Sequence, residues 1–221
     1  MGTMTGIRRS YEEGCIAAHA LDLIGDRWAL LVVRELMLGP RRFGAIRAGL
    51  PGVSANILTR RLEELEAAGL VLREALREGA GFQSYRLTEA GMGLWPVIRA
   101  LCRWGAAMPG HDPSLFISPV SLMLSLRAMC ARGRAGPHEA VMIAAGESFV
   151  IRTAPGAFRV ERGEAAGAGL RFAGSTNALA ATLYGPMPLA QCAAGLIGFE
   201  GDPAQGQAFV DLFSLRPEAA G

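Results

Sequence analysis

The chain has 221 residues, 51% of them hydrophobic and 19% charged, with 22 basic against 20 acidic side chains and a formal net charge of +2. That length suits one large domain or two small ones, and that composition suits a folded protein with a sizeable core. A charge balance this even does not by itself announce a nucleic-acid binder.

Every basic residue is arginine, the better reader of phosphates and bases. Residues 1–110 hold 14 Arg against 11 Asp and Glu, and residues 111–221 hold 8 against 9, so any basic footprint belongs to the first half. Cys15, Cys102, Cys130 and Cys192 are scattered without a C-x-x-C, which argues against a zinc site or a disulfide scaffold and for a reducing compartment. No signal pattern opens the chain. The longest apolar run, Trp28 to Leu38, is broken by Arg34 and Glu35 and is too short for a bilayer. The expected location is the cytoplasm, with no membrane partner.

Taken in order, residues 15–25 read as a short helix burying Ile16, Ala20, Leu23 and Ile24. A second helix should run from Asp26 to Leu38 and stop at Gly39-Pro40. A third spans Arg42 to Ala48, with Phe43 and Ile46 inward, and "GLPG" (49–52) makes a turn. The stretch "GVSANILTRRLEELEAAGLV" (52–71) then predicts a helix with Ser54 as N-cap and Val53 and Leu58 as a hydrophobic staple. Its inward stripe is Ala55, Leu58, Leu62 and Leu65; its outward stripe is Asn56, Thr59, Arg60 and Glu63. Gly69 closes it. Two strands follow, Val71–Arg77 and Gln83–Thr88, joined through the glycine-rich "EGAGF". Thr88 caps a last helix reaching Ala107, with Pro96 expected to kink it.

Three helices, a turn, a helix, a hairpin and a helix make a winged helix-turn-helix over residues 1–108. In that architecture the second helix of the motif enters the major groove with its N-terminal residues on base edges. Ser54, Asn56, Thr59 and Arg60 are suited to base-edge contact, and Arg61 extends the same set. Arg41 and Arg42 open the third helix at an end that meets the DNA backbone. Arg77, Gln83 and Ser84 flank the wing tip as further candidate contacts. The bland reading of the outward stripe is a solvated helix face, and the complete element order favours DNA contact over it.

The stretch "CIAAHALDLIGDRWALLVVRELMLGPRRFGAIRAGLPGVSANILTRRLEELEAAGLV" with "YRLTEAG" after it resembles the HxlR family of bacterial transcriptional regulators over residues 14–107. The resemblance implies a homodimeric winged-helix protein bound to double-stranded DNA. One helix-turn-helix reads only a few base pairs, so a two-fold dimer on an inverted-repeat operator is expected. Two departures are visible: Ile16 stands where the family usually has proline, and the wing "REGAGFQS" is poor in basic residues. Cys15 is open to two readings, a small buried side chain or an exposed thiolate that senses oxidants, as some relatives of this kind do.

Residues 109–116 read as a linker, and 117–221 as a second domain of α+β class. It opens with a nearly all-round apolar helix capped by Ser118-Pro119. Strands at 140–145, 148–154 and 157–162, a loop at 163–169, a strand at 170–175, helices at 176–184 and 189–194, a strand at 196–200 and a final helix from Asp202-Pro203 to about Leu215 complete it. "FAGSTNALAATLYG" and "GFEGDPAQGQAFVDLFSL" are similar to the sterol carrier protein-like fold. That similarity implies an antiparallel sheet packed by helices around an apolar cavity, hence a small apolar ligand whose contact residues are unknown. His19, His111 and His138 lie in unrelated segments, with His111 and His138 in polar loops, and no catalytic arrangement, metal or cofactor is expected. The leading expectation is a ligand-controlled DNA-binding regulator. A hydrophobic-ligand carrier and a cysteine-based redox repressor are the alternatives.

Overall fold

The computed structural model describes residues 10–75, 83–131 and 135–215. The chain divides into two compact units. One holds the residues up to Leu36 and Pro40–Gly93; the other holds Met37–Gly39 and Leu94 onward. The division therefore falls before the last helix of the winged-helix region and not at 108.

In the first unit, α1 (Ile16–Ile24) and α2 (Ala29–Leu36) are separated by a turn in which Trp28 has φ 81°. A residue in that conformation cannot join a right-handed helix, so α2 starts three residues later than the apolar pattern suggests. The expected burial of Ile16 fails too: it is exposed, and Ala18 and Ile24 are the buried residues of α1. The pair Arg41–Arg42 forms a short strand, β1, ahead of α3 (Phe43–Ala48). Next comes α4 (Ala55–Ala67), then β2 (Val71–Ala75) and β3 (Gln83–Leu87). The three strands form one antiparallel sheet in the order β1-β3-β2. The wing tip and Arg77 lie outside the described residues.

The start and stop of α4 follow its local chemistry. Ser54 Oγ accepts the Ile57 N–H at 3.2 Å, and Val53 and Leu58 are both buried. At the other end Gly69, at φ 71°, lets Leu70 N–H reach the Leu65 carbonyl at 2.9 Å. Thr88 caps α5 (Glu89–Met92), accepting from Gly91 N–H, while its hydroxyl donates to the Gly69 carbonyl at 2.7 Å. The core of this unit is Val32, Val33, Leu36, Ile46, Leu50, Leu58, Leu62, Leu65 and Val71.

The helix expected from Glu89 to Ala107 is two helices. The chain breaks after α5, and α6 (Trp95–Ala107) restarts with Pro96 in its first turn, where a missing N–H costs nothing. In the second unit α6 packs on α7 (Pro119–Met129): Arg103 Nε donates to the Ala128 carbonyl at 3.1 Å, and the Arg127 guanidinium lies 4.3 Å from the centre of the Trp95 ring.

The rest of this unit is a five-stranded sheet with helices. Its strands are β4 (His138–Ala144), β5 (Glu147–Ala154), β6 (Ala157–Arg162), β7 (Leu170–Gly174) and β8 (Gly198–Gly201), in the order β6-β5-β4-β7-β8. The expected all-antiparallel sheet is corrected at one place: β4 and β7 run parallel. Parallel neighbours need a crossover, and β5 and β6 lie in the sequence between them. Helices α8 (Thr176–Tyr184), α9 (Leu189–Ala193) and α10 (Pro203–Val210) complete the unit, the last ending short of the expected Leu215.

Its core joins α7, one face of the sheet and the last helices. Phe199, Phe172, Phe209 and Phe213 make a chain of tilted and edge-on ring contacts in that order, with ring centres 5.0–5.5 Å apart. His138, expected in a loop, starts β4 half-buried with its ring edge-on to Phe209.

Among the described residues no helix is long and apolar enough to cross a membrane, and no cluster of His, Cys, Asp and Glu could hold a metal.

Candidate nucleic-acid interface

The first two turns of α4 present Asn56, Ile57, Thr59 and Arg60 to solvent, while Leu58, Leu62 and Leu65 are buried beneath them. No acidic side chain stands in the first turn. The helix therefore supplies no carboxylate of its own to the positive end of its dipole. Glu63 and Glu66 are exposed farther along.

Arg60 and Arg61 are neighbours with opposite surroundings. Arg60 is 67% exposed and folds back along its own helix, donating from Nε to Glu64 Oε1 at 2.8 Å. That surface pair is weak and solvent-screened, so the guanidinium is readily redirected outward. Arg61 is buried, and its Nη1 engages Asp26 and Glu64. It anchors α4 to the turn before α2, so its expected role as a DNA contact is corrected to a framework role.

A similar correction applies at β1. The Arg41 guanidinium is buried, and its Nη1 donates to Glu35 Oε2 at 2.7 Å. Glu35 is itself fully buried on α2. Its Oε1 accepts from Arg34 Nη2 at 2.9 Å, and the same Arg34 nitrogen reaches the Gly49 carbonyl at 3.3 Å. A Cβ at Gly49 would lie 2.3 Å from Glu35 Oε2, so the turn after α3 accepts only glycine without displacing the carboxylate. Glu35 thus ties α2, β1 and the turn entering α4 together. Its sequence signal is an acid inside an otherwise apolar helix, which has to be paired when buried.

Arg42, next to Arg41 on the alternate face of the strand, is exposed. On the hairpin, Gln83 is exposed and its Oε1 accepts from Arg73 Nε on β2. Ser84 is buried where β3 sits between its two partners, and leaves the set of available contacts. Sequence reasoning missed exposed Arg73, opposite the wing strand, and exposed Arg47 in the last turn of α3. Both were legible only as isolated arginines until the sheet register and helix phase set their direction. Ser54 is exposed, with its hydroxyl oxygen already engaged as a cap.

Cys15 occupies the N-cap of α1 and is exposed, which sets aside the buried reading. The backbone N–H groups of Ala18 and then Ala17 hold its thiol below the usual range. Cys130 and Cys192 are buried, and Cys102 is half-buried.

A helix presenting short polar groups and an exposed arginine, held by a buried ion-pair clamp and followed by a hairpin that completes a three-stranded sheet with β1, defines a winged helix-turn-helix. Residues 23–112 match the HxlR-like helix-turn-helix family. The HTH-type transcriptional regulator YvaP of Bacillus subtilis is 38% identical over 95 residues, covering 43% of this chain and 86% of that protein. An HTH-type transcriptional regulator of Methanothermobacter thermautotrophicus is 38% identical over 98 residues, covering 44% of this chain and 75% of that one. The reduced form of the transcriptional regulator YodB from Bacillus subtilis is 35% identical, covers 45% of this chain and 100% of that one, and superposes with a TM-score of 0.40. The chain belongs to the HxlR-like helix-turn-helix family.

Proposed function

We propose that the protein is a DNA-binding transcriptional regulator that works as a homodimer on an inverted-repeat operator. The observation that carries this reading is the exposed face of α4. Asn56, Thr59 and Arg60 stand clear of the core, while Arg61 and the leucine stripe fix the helix under them. Asn56 and Arg60 have the geometry to pair with adenine and guanine edges in a major groove. Arg42, Arg47 and Arg73 are suited to phosphates on either side, and Gln83 to the wing's contact. A single module of this kind reads few base pairs, which favours a two-fold dimer with half-sites about one helical turn apart.

The second unit takes the role of a sensor for a small apolar molecule that binds one arrangement of the dimer better than another. Its likeness in sequence to the sterol carrier fold supports that role. The test is a titration of the full chain against the duplex upstream of its own operon, at several salt concentrations. Affinity should fall steeply as salt rises. No salt-sensitive binding to any duplex would leave the hydrophobic-ligand carrier as the better account.

A second reading is favoured by one observation. Cys15 is an exposed thiol at a helix start with its acidity raised by two backbone N–H groups. That is suited to an oxidant- or electrophile-responsive repressor. Its test is whether Cys15→Ser removes the response of DNA binding to mild oxidant.

A further inference from the structure

The second unit contains a cleft of about 720 Å³, within the range of small-molecule sites. Its walls are α6, the loop through 109–117, α7 and α8, and no sheet residue lines it. The apolar surface comes from residues such as Leu101, Phe116, Ile117, Leu122 and Met129. Asn177 of α8 donates from Nδ2 to the carbonyls of Pro113 and Leu115 at 3.0 and 2.7 Å, so the loop is secured across the helix.

Polar groups in the cleft are few and specific. Ser125 Oγ and Tyr184 Oη lie 2.8 Å apart, one from α7 and one from α8. Two hydroxyls sharing one hydrogen bond keep a second proton to donate. Burial pushes the Tyr184 phenol well above its ordinary range, so the pair remains a donor throughout the physiological range. Among the described lining residues there is no Arg, Asp or Glu, and His111 is exposed. An ionised ligand group would therefore enter without a counter-charge, which is costly.

We infer that this cleft binds a neutral, mostly apolar small molecule carrying one oxygen acceptor, its body against α6 and α7 and its oxygen on the Ser125–Tyr184 pair. Calling that molecule an effector rests on the regulator reading above; the binding itself does not. Because α6 forms one wall, a bound molecule acts directly on the helix that also closes the family's matched region.

Prodan, a neutral naphthalene ketone whose emission moves to the blue in apolar surroundings, tests this with the full chain. Saturable binding at one prodan per chain is expected, with anionic anilinonaphthalenesulfonate bound at least about tenfold more weakly. A Cβ at Gly105, on the α6 wall, meets nothing within 4 Å, so Gly105→Phe should fill the cleft without disturbing the helix. It should weaken prodan about tenfold or more, with far-UV circular dichroism and melting unchanged or improved. Should that variant fold poorly, Ala181→Phe blocks the opposite wall from an exposed position. Tyr184→Phe should weaken prodan by about two- to tenfold and leave the anionic probe unaffected. Absence of saturable binding overturns the inference, as does prodan binding that folded, cleft-filling variants leave intact. DNA titration of the same preparations without prodan separates the two readings. DNA binding without prodan binding removes only the cleft, and prodan binding without DNA binding removes only the regulator.

Discussion

Helices α4 and α6 are each 13 residues long, and each leaves a face to solvent, but the two faces have different chemistry. On α4 the exposed residues of the first turns are chiefly polar and able to exchange hydrogen bonds with a polar partner as readily as with water. On α6 Val97, Leu101 and Trp104 are exposed, with Trp104 at 65%. Aromatic and aliphatic side chains gathered on one helix gain by being covered, whereas asparagine, threonine and arginine gain only where a partner replaces each hydrogen bond with water. The lesson is that α4 suits nucleic acid and α6 suits a protein surface.

The largest effect expected lies in the ion-pair clamp of the first unit, which supports the polar face of α4. Glu35→Ala removes the buried carboxylate that Arg34 and Arg41 share, one of them a buried guanidinium. A loss of about 3–5 kcal/mol in unfolding free energy is expected, measured by urea denaturation. Gly49→Ala, which pushes a methyl group into the same carboxylate, should cost less, about 1–3 kcal/mol.

Next in size is the apolar face. Trp104→Glu, on the part of α6 that does not line the cleft, should give monomers with native circular dichroism that no longer bind DNA specifically, as followed by light scattering and anisotropy. A dimer with unchanged affinity would exclude α6 as the subunit contact.

On the polar face the effects should divide by position. Arg60→Ala should lose roughly tenfold to a hundredfold in affinity for the preferred site and little for other sequences. Arg42→Ala should lose affinity for all sequences alike and lower the salt slope by about one. Uniform loss in both would deny Arg60 a base contact.

The smallest effect concerns Cys15. Its thiol is held below the usual range, so more of it is thiolate at neutral pH than in an unstructured cysteine. Alkylation by iodoacetamide at pH 7 should be faster at Cys15 than at Cys102, and slowest at buried Cys130 and Cys192. The rate should fall as pH drops through the lowered value and the thiolate is protonated. Equal rates at Cys15 and Cys102, read by peptide mass spectrometry, would count against the sensor reading.

Much of this was legible along the chain. Caps and stops carry strong local chemistry: Ser54, Thr88, Ser118 and Asp202 all cap the helices assigned to them. The alternation of buried and exposed positions on α4 was also readable, except at Arg61. A buried arginine looks like an exposed one until its distant carboxylate is known, and Asp26 is 35 residues away in sequence. Arg41 misled for the same reason. The strand at β1 was illegible because two residues carry no period, and only pairing with Ser84 and Tyr85 creates it. In the second unit the phenylalanine cluster and the parallel β4–β7 pair depend on contacts far apart in sequence, so helix caps were easier to read there than cavities.

The most direct test of the claim for α4 is selection from a pool of random duplexes by the wild-type protein and by Arg60→Ala, followed by sequencing of the bound fraction. The wild type should enrich an inverted repeat with half-sites about one helical turn apart. Arg60→Ala should enrich the same repeat with one symmetric pair of positions, guanine in the wild-type selection, made degenerate. No enrichment by the wild type, or an identical repeat from both proteins, would contradict base reading by this face.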